Sequence, residues 1–312
     1  MMKKICLFAA LLLAVNVTYA QDELKKAREE IAKKIKRNDK DTTKLYWKKG
    51  GTFNLNVNQG SLTNWAAGGD KFSLSAGATL SVFANYAKGK HAWDNTLDLA
   101  YGYVKTTSLG MRKSDDRIDL TTKYGYDVGK NWYLSGLVNV RTQFANGYLY
   151  NDTARELVSR FFSPAYVLFS PGLDYKPNKE FSLFLSPVTS RLVIVASDSL
   201  SAMGAYGVDT GKHVKSEFGA YLSANWNKEI GKNVVYKTRL DLFSNYRHNP
   251  GNIDVFWTNV LSLKVNKYLS ATVSLDMIYD DDVRVFENKE TGVMGPRLQL
   301  KQVIGVGFAA IF

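Results

Sequence analysis

The sequence predicts a transmembrane, antiparallel, up-and-down β-barrel of about twelve strands, and three observations carry this prediction. From Gly51 onward, apolar and polar residues alternate, as in strands with one apolar face. The junctions between these segments are alternately short and long, as at the periplasmic and outer ends of an outer-membrane barrel. Aromatic residues concentrate near the strand ends, with smaller aliphatic residues between them.

The alternation is clearest in "FSLSAGATLSVFANY", where Phe72, Leu74 and Ala76 share one face and serines and glycine share the other. Most such segments have about ten residues or more, enough for the ~9–11 that a tilted strand needs to cross a bilayer. Strands are predicted at 51–58, 71–86, 92–104, 116–128, 131–145, 164–175, 180–195, 215–228, 233–246, 252–265, 268–279 and 297–312.

The junction lengths predict which end faces which compartment. Five junctions are short and turn-like, namely "AKGKH", "DVGKN", "KPNKE", "EIGKN" and "VNKY", and we expect them on the periplasmic side. Long outer loops are predicted at 59–70, 105–115, 146–163, 197–214 and 280–296, with "RHNPGN" as the short exception. Within the third of these, "RELVSRFF" (155–162) is expected to form a small helix.

Two aromatic girdles follow from the same topology. The aromatic residues of the girdle at the short-turn end are Trp93, Tyr126, Trp132, Tyr175, Phe181, Trp226 and Tyr236. Those of the girdle at the long-loop end are Tyr101, Tyr103, Phe144, Tyr246 and Tyr279. The last segment places Leu300, Ile304 and Phe308 on one face with Phe312. This resembles the C-terminal strand that the barrel-assembly machinery recognises, which predicts that machinery as a partner.

Three regions are predicted along the chain. Residues 1–20 have two lysines, a short apolar core and a small residue at Ala20, which predicts a secretory signal peptide. Residues 21–50 are a charged periplasmic tail, either a short amphipathic helix or a solvated segment. Residues 51–312 form the barrel, which predicts the outer membrane of a Gram-negative bacterium and contact with its lipid.

Composition excludes several functions. The formal net charge is +12, but the lysines are scattered through turns and strands, so nucleic-acid binding is not predicted. The single cysteine, Cys6, lies within the predicted signal peptide, which excludes thiol chemistry in the barrel. No cofactor is predicted.

The face opposite the apolar one should line the lumen, and its charges are balanced. The predicted inward bases are Arg117, Lys123, Arg141, Lys237, Arg239, Lys264, Arg297 and Lys301; the predicted inward acids are Asp94, Asp98, Asp119, Asp174, Glu217, Asp241, Asp254 and Asp276. A strongly ion-selective pore would show an excess of one sign. Either an ion-paired, partly filled interior or an open channel for a small solute fits this balance.

No catalytic or metal site is predicted. His213, near Asp198 and Asp209, is the one candidate for a hydrolase at the rim, and its spacing is not diagnostic. The acids of "YDDDVRVFENKE" (Tyr279–Glu290) lack the ligand order of a calcium loop, so a solvated acidic loop is favoured.

The segment "WKKGGTFNLNVNQGSLTNWAAGGDKFSLS" (Trp47–Ser75) resembles a Bacteroidota outer-membrane family catalogued as a domain of unknown function. The resemblance rests on Trp-x-x-Gly-Gly, Asn-Gln and Asn-Trp-Ala-Ala-Gly-Gly, and implies a barrel but no activity. Because Lys71 begins a strand and not a helix, "NWAAGGD" (Asn64–Asp70) is interpreted as a loop-shaping element and not a phosphate cradle.

The predicted function is an outer-membrane barrel of unassigned activity, either a small-solute pore or a ligand-binding barrel. The candidate ligand-binding residues are Asn64, Trp65 and Asp70 in the first outer loop, and Arg141, Arg239 and Lys301 in the lumen. One alternative is a structural barrel whose tail engages an envelope partner, and a remote one is the rim hydrolase.

Overall fold

Twelve antiparallel strands close into a barrel, in a computed structural model that describes residues 46–61, 72–150, 155–266, 269–280, 286–287 and 294–311. The barrel strands are β1 (Trp47–Ser61), β2 (Phe72–Lys88), β3 (His91–Thr106), β4 (Gly110–Gly129), β5 (Trp132–Thr142), β8 (Ala165–Tyr175), β9 (Phe181–Ile194), β10 (Val214–Gly231), β11 (Val234–Asn245), β12 (Ile253–Lys264), β13 (Leu269–Tyr279) and β16 (Gln299–Ile311). The outer loops carry β6 (Gly147–Tyr150), β7 (Arg155–Ser159), α1 (Asp198–Ala202), β14 (Phe286–Glu287) and β15 (Met294–Gly295).

Each barrel strand pairs with the next barrel strand along the chain, and β1 pairs with β16 to close the ring. The predicted fold class and strand number are therefore confirmed. β1 begins at Trp47, four residues before the predicted start of the barrel, so Trp47–Gly50 belong to a strand and not to the tail. The predicted signal peptide, tail residues 21–45 and Phe312 lie outside the described residues, and their assignments stay predictions.

The four short turns that lie wholly within the described residues fall where the sequence predicts them, and the turn between β4 and β5 has the backbone angles that tight hairpins need. Between β4 and β5, Lys130 and Asn131 have φ of 52° and 66° and follow Gly129 at φ 97°. Consecutive positive φ values match the right-handed twist of the flanking strands. Asp127 accepts a hydrogen bond from the Gly129 amide at 2.8 Å, which fixes the turn.

Two predictions about the outer loops are wrong. Residues 105–115 form no long loop, because β3 and β4 continue as a hairpin that turns at 107–109. The segment 155–162 forms no helix: Arg155–Ser159 is β7 and pairs with β6. Pairing with a partner strand satisfies the backbone of such a short segment more completely than one isolated helical turn.

The outward face of the barrel is apolar and exposed. Leu300 and Ile304 expose 64% and 63% of their surface, and Leu134 exposes 58%. In water, a contiguous surface of this kind would promote aggregation, whereas in a bilayer it contacts lipid. β1 and β16 close the ring by pairing over Thr52–Asn56 of β1, and a sheet in a membrane must close on itself in this way.

Both girdles are present as contacting rings. At the short-turn end the ring centroids of Trp132 and Tyr175 are 4.8 Å apart, and those of Trp47 and Trp93 are 5.8 Å apart. At the outer end Tyr101 contacts both Tyr103 and Phe144 edge-on. Aromatic rings at these depths mark the two membrane–water interfaces.

A cap made from the third and fourth outer loops covers part of the outer mouth. Val195, Leu200 and Val208 are buried together, and Leu157 of β7 packs against them. The Tyr206 hydroxyl donates to the Val158 carbonyl, and burial raises the pKa of Tyr206 to about 12, so this donor stays protonated at neutral pH. No helix among the described residues is long and apolar enough to cross a bilayer.

The wall of the barrel has one sealed interruption, between β8 and β9. Strand pairing stops after Phe169 and resumes at Leu173, in a segment that contains Pro171 and, on the partner strand, Pro187. Proline cannot donate to a strand ladder. The Ser186 hydroxyl lies between two carbonyls, at 2.6 Å from that of Pro171 and 2.9 Å from that of Val188.

We predict that Ser186→Ala destabilises the barrel by about 1–3 kcal/mol, because carbonyls within the wall lose their hydroxyl donor. The free energy of unfolding into urea from phospholipid vesicles measures this loss. Ser81→Ala, at a half-exposed serine on the inner face of β2, is the matched control. Equal stability of the two variants would show that the hydroxyl does not seal the interruption.

Candidate functional site

Three clusters of charged side chains occupy the lumen on the side of β3–β5 and β8–β12. The first, here called the lower cluster, comprises Asp94, Lys123, Asp174 and Lys176 and lies toward the short turns. Lys176 Nζ lies 2.9 Å from the Asp94 carboxylate and 3.2 Å from that of Asp174, and Lys123 Nζ lies 2.5 Å from Asp174. Asp174 is fully buried, so these ion pairs replace the water that its carboxylate would otherwise need.

The middle cluster comprises Asp119, Arg141, Arg239 and Asp241. Arg141 Nε donates to Asp119 at 3.0 Å, and its Nη2 lies 3.7 Å from Asp241, on a strand four positions away around the ring. Arg239 pairs with Asp241 at 2.9 Å. Arg141 therefore links two separated parts of the barrel wall across the lumen.

The upper cluster comprises Arg191, Lys215, Glu217 and Asp254. Arg191 donates to Glu217 and lies 2.6 Å from Asp254, while Lys215 lies 2.9 Å from the second oxygen of Glu217. Arg191 and Glu217 are both buried. Val193, two residues after Arg191 on β9, packs in the cap, so the cluster lies next to the cap.

The three clusters have the same charge balance and similar contacts with aromatic rings. Each contains two cations and two anions, so each has no formal net charge. In each, cations also lie over aromatic rings: Lys176 over Tyr133, Arg141 over Phe256 and Arg191 over Phe243, at 5.0, 4.7 and 4.1 Å from the ring centroids. Such contacts with a desolvated ring stabilise the cation further.

Apolar side chains fill the space between these clusters. Leu137, Leu168, Phe184, Tyr221 and Phe243 form one buried group within the lumen. A cavity of about 50 Å³ remains beside Arg141, Arg191 and Tyr166, enough for one or two water molecules. We name this filled side of the lumen, the inner faces of β4, β5 and β8–β12, the packed wall.

The opposite side of the lumen is different. We name the inner faces of β13, β16, β1 and β2 the open wall, because small, mostly uncharged side chains predominate there. Half-exposed members are Asn54, Asn56, Ser75, Gly77, Thr79, Ser81, Thr272 and Ser274. An inward side chain of a closed barrel can be exposed only to lumen space, so the free volume of the lumen borders this wall.

Two ion pairs bridge the open wall to β4. Lys301 lies 2.5 Å from Asp115, and Arg117 lies 3.9 Å from Asp276. The bases of these pairs are more exposed than any side chain of the three clusters, with Lys301 at 40% and Arg117 at 37%. These pairs narrow the free part of the lumen without filling it.

The predicted site residues are placed as follows. Arg141 and Arg239 lie together in the middle cluster, and Lys301 lies apart from them at the open wall. Asp276 is opposite Lys301 in the strand register, but each forms its ion pair with a residue of β4. Asn64, Trp65 and Asp70 lie outside the described residues, so their proposed role in binding is a prediction.

Arg191 is the most important residue that strict alternation does not place in the lumen. The register between β9 and β10 shifts by one residue near Pro187 and Val188, which changes the face on which the following residues lie. Prolines within a strand indicate such bulges, so Pro187 was the available signal. Asp115 was assigned to a loop for a related reason, since the hairpin of β3 and β4 continues past it.

The rim histidine has little support as a catalytic residue. His213 Nδ1 bonds to the Val195 carbonyl at 2.8 Å, and its Nε2 lies 3.6 Å from Asp198, whose side chain is almost fully exposed. The side-chain polar contacts of His213 within the described ranges include no hydroxyl nucleophile. Within those ranges, no group of three or more His, Cys, Asp or Glu residues is arranged to hold a metal ion.

Several solved barrels are similar to this chain in fold. An outer membrane channel from Pseudomonas putida F1 aligns at 12% identity and a TM-score of 0.38, over 89% of this chain and all of that chain. The NanC porin aligns at 11% identity and a TM-score of 0.35, over 82% of this chain and 98% of that chain. Outer membrane phospholipase A from Escherichia coli aligns at 10% and 0.35, over 90% and 97% of the two chains. With TM-scores below 0.5, these similarities indicate no activity.

No curated protein is detectably similar to the chain in sequence. The closed ring of strands, the apolar outer face and the two girdles are those of a barrel in the outer membrane of a Gram-negative bacterium, in contact with its lipid. Over residues 57–148, this outer-membrane barrel matches the family described as "Protein of unknown function (DUF3078)".

Proposed function

We propose that the barrel is a narrow channel for small, polar solutes without net charge, with its path along the open wall. The observation that carries this proposal is the half-exposed row of amide, hydroxyl and glycine positions on β13, β16, β1 and β2. Such groups can exchange hydrogen bonds with a passing solute and bind it only weakly, which conduction requires.

The charge pattern supports a channel with little ion selectivity. The lower, middle and upper clusters have no formal net charge, and each of the two bridging pairs joins one base to one acid. Channels that select strongly by charge carry rings of one sign. A twelve-stranded barrel is wider than eight-stranded barrels, which side chains fill, and narrower than the open sixteen-stranded porins.

Uptake into phospholipid vesicles tests the proposal. We expect vesicles containing the purified full-length barrel to take up monosaccharides and neutral amino acids, and to exclude tetrasaccharides. Vesicles with heat-unfolded protein are the control. Absence of uptake for every solute, together with no conductance in planar bilayers, would exclude the channel.

That negative outcome would favour the second candidate, a structural barrel without transport. The packed wall is the observation in its favour, because ion pairs, aromatic rings and apolar side chains occupy most of that side of the lumen. In this candidate, residues 21–45 would engage an envelope partner. Deleting these residues should then release proteins that co-purify with the full-length chain.

We also propose that the rim carries out no hydrolysis, since His213 contacts a carbonyl and an exposed carboxylate. Release of fatty acid from the vesicles used in the uptake assay, abolished by His213→Ala, would contradict this.

A further inference from the structure

We infer that the short-turn end of the barrel carries a binding belt for the headgroups of anionic phospholipids in the surrounding leaflet. This inference does not depend on the proposed transport function. It rests on the lysines at the short-turn end and on the contacts of three of their ammonium groups with aromatic rings at that end.

The lysines are numerous and accessible. Exposed or half-exposed lysines in the short turns and on the outward side of the adjoining strand ends include Lys49, Lys88, Lys90, Lys130, Lys179, Lys228 and Lys232. The acids of the same described turns are Asp127, Glu180 and Glu229. Of these, Asp127 accepts the Gly129 amide, and Glu180 lies 3.7 Å from Lys228. Among these described side chains, the seven lysines exceed the three acids by four.

Contacts with aromatic rings set the depth of three ammonium groups. Lys88 Nζ lies 4.8 Å from the centroid of the Tyr46 ring, and Lys90 Nζ lies 5.7 Å from that of Tyr126. Lys228 Nζ lies 5.9 Å from the ring of Trp226. Tyr126 and Trp226 belong to the aromatic girdle at the short-turn end, which lies at the level of the lipid headgroups, and the Tyr46 ring contacts Tyr86 at the same end.

This position distinguishes the belt from a solvated basic surface. A lysine extended into the periplasm would interact with any polyanion, but an ammonium held over a girdle ring lies beside the phosphates of neighbouring lipids. The phosphodiester of a lipid accepts hydrogen bonds from an ammonium group. A headgroup that carries no cation of its own has a net negative charge, which attracts the lysine. The geometry therefore favours an anionic glycerophospholipid over a periplasmic polymer.

Electron spin resonance of spin-labelled lipids measures the association directly. The full-length barrel is reconstituted in phosphatidylcholine vesicles with spin-labelled phosphatidylglycerol or spin-labelled phosphatidylcholine as the probe. We expect the motionally restricted fraction to show that phosphatidylglycerol is favoured over phosphatidylcholine about fivefold at sites that contact one lysine. The preference should fall as the salt concentration rises.

The triple variant Lys88→Gln, Lys90→Gln and Lys228→Gln should reduce the preference to about twofold or less. The matched control, Lys105→Gln, Lys212→Gln and Arg247→Gln, removes three charges at the outer end and should retain it. No preference in the unaltered barrel, or equal loss in both variants, would overturn the inference. The inference would also be overturned if the first triple variant kept its preference for phosphatidylglycerol but no longer bound insoluble peptidoglycan. The lysines would then bind a polymer and not a lipid.

Discussion

Replacing Arg191 with methionine is expected to cost about 3–5 kcal/mol of stability, the largest effect of a single substitution that we predict. Arg191 is buried and contacts both Glu217 and Asp254. Without it, two buried carboxylates lose the cation that they share, and Lys215 remains 2.9 Å from Glu217. The free energy of unfolding into urea from phospholipid vesicles measures the loss.

Two further variants separate charge from packing. Arg247→Met changes an exposed arginine of an outer loop and should alter stability by less than about 0.5 kcal/mol. The double variant Arg191→Met and Glu217→Leu leaves one cation and one anion in the cluster, and should recover about 2 kcal/mol relative to Arg191→Met. If Arg191→Met is no less stable than Arg247→Met, the upper cluster does not stabilise the barrel.

The second large effect concerns ion selectivity, which Arg141→Gln and Asp241→Asn should change in opposite directions. The middle cluster has no formal net charge, and Arg141 lies 3.7 Å from Asp241 across the lumen. Removing Arg141 leaves one excess negative charge, so the reversal potential in a potassium chloride gradient should shift toward potassium. Removing the charge of Asp241 leaves one excess positive charge and should favour chloride.

Conductance adds an independent check on the same pair. Glutamine is shorter than arginine, so Arg141→Gln should also widen the lumen and raise the single-channel conductance. Asparagine has the size of aspartate, so Asp241→Asn should leave the conductance nearly unchanged. Unchanged selectivity in both variants, or shifts in the same direction, would show that the charges of the cluster do not act on the ion path as predicted.

Much of the fold could be predicted from the sequence because a membrane barrel imposes a regular pattern. Each lipid-facing position must be apolar, so Leu300, Ile304 and Phe308 indicate the register of the last strand. Tight turns such as Gly129–Lys130–Asn131 indicate strand ends, because few residues adopt their backbone angles. These local rules are sufficient for strand number and order.

The lumen could be predicted only in part. Alternation places Arg141, Asp119 and Asp241 inside, but it cannot show that Arg141 contacts Asp241 across four strands, because that contact depends on barrel curvature. It also misplaces Arg191, since one bulge changes the face of every residue after it. The division into a packed and an open wall likewise depends on side-chain volumes on opposite strands.

Accessibility of the two walls tests the central claim most directly. In a Cys6→Ser background, Thr79→Cys places a thiol on the open wall, and Ser223→Cys places one on the packed wall, where the serine is 3% exposed. The measurement is single-channel conductance before and after addition of a small, water-soluble, thiol-reactive reagent. We predict that the reagent blocks conductance through Thr79→Cys and leaves Ser223→Cys unchanged. Block only of Ser223→Cys, or no conductance in either variant, would contradict a solute path along the open wall.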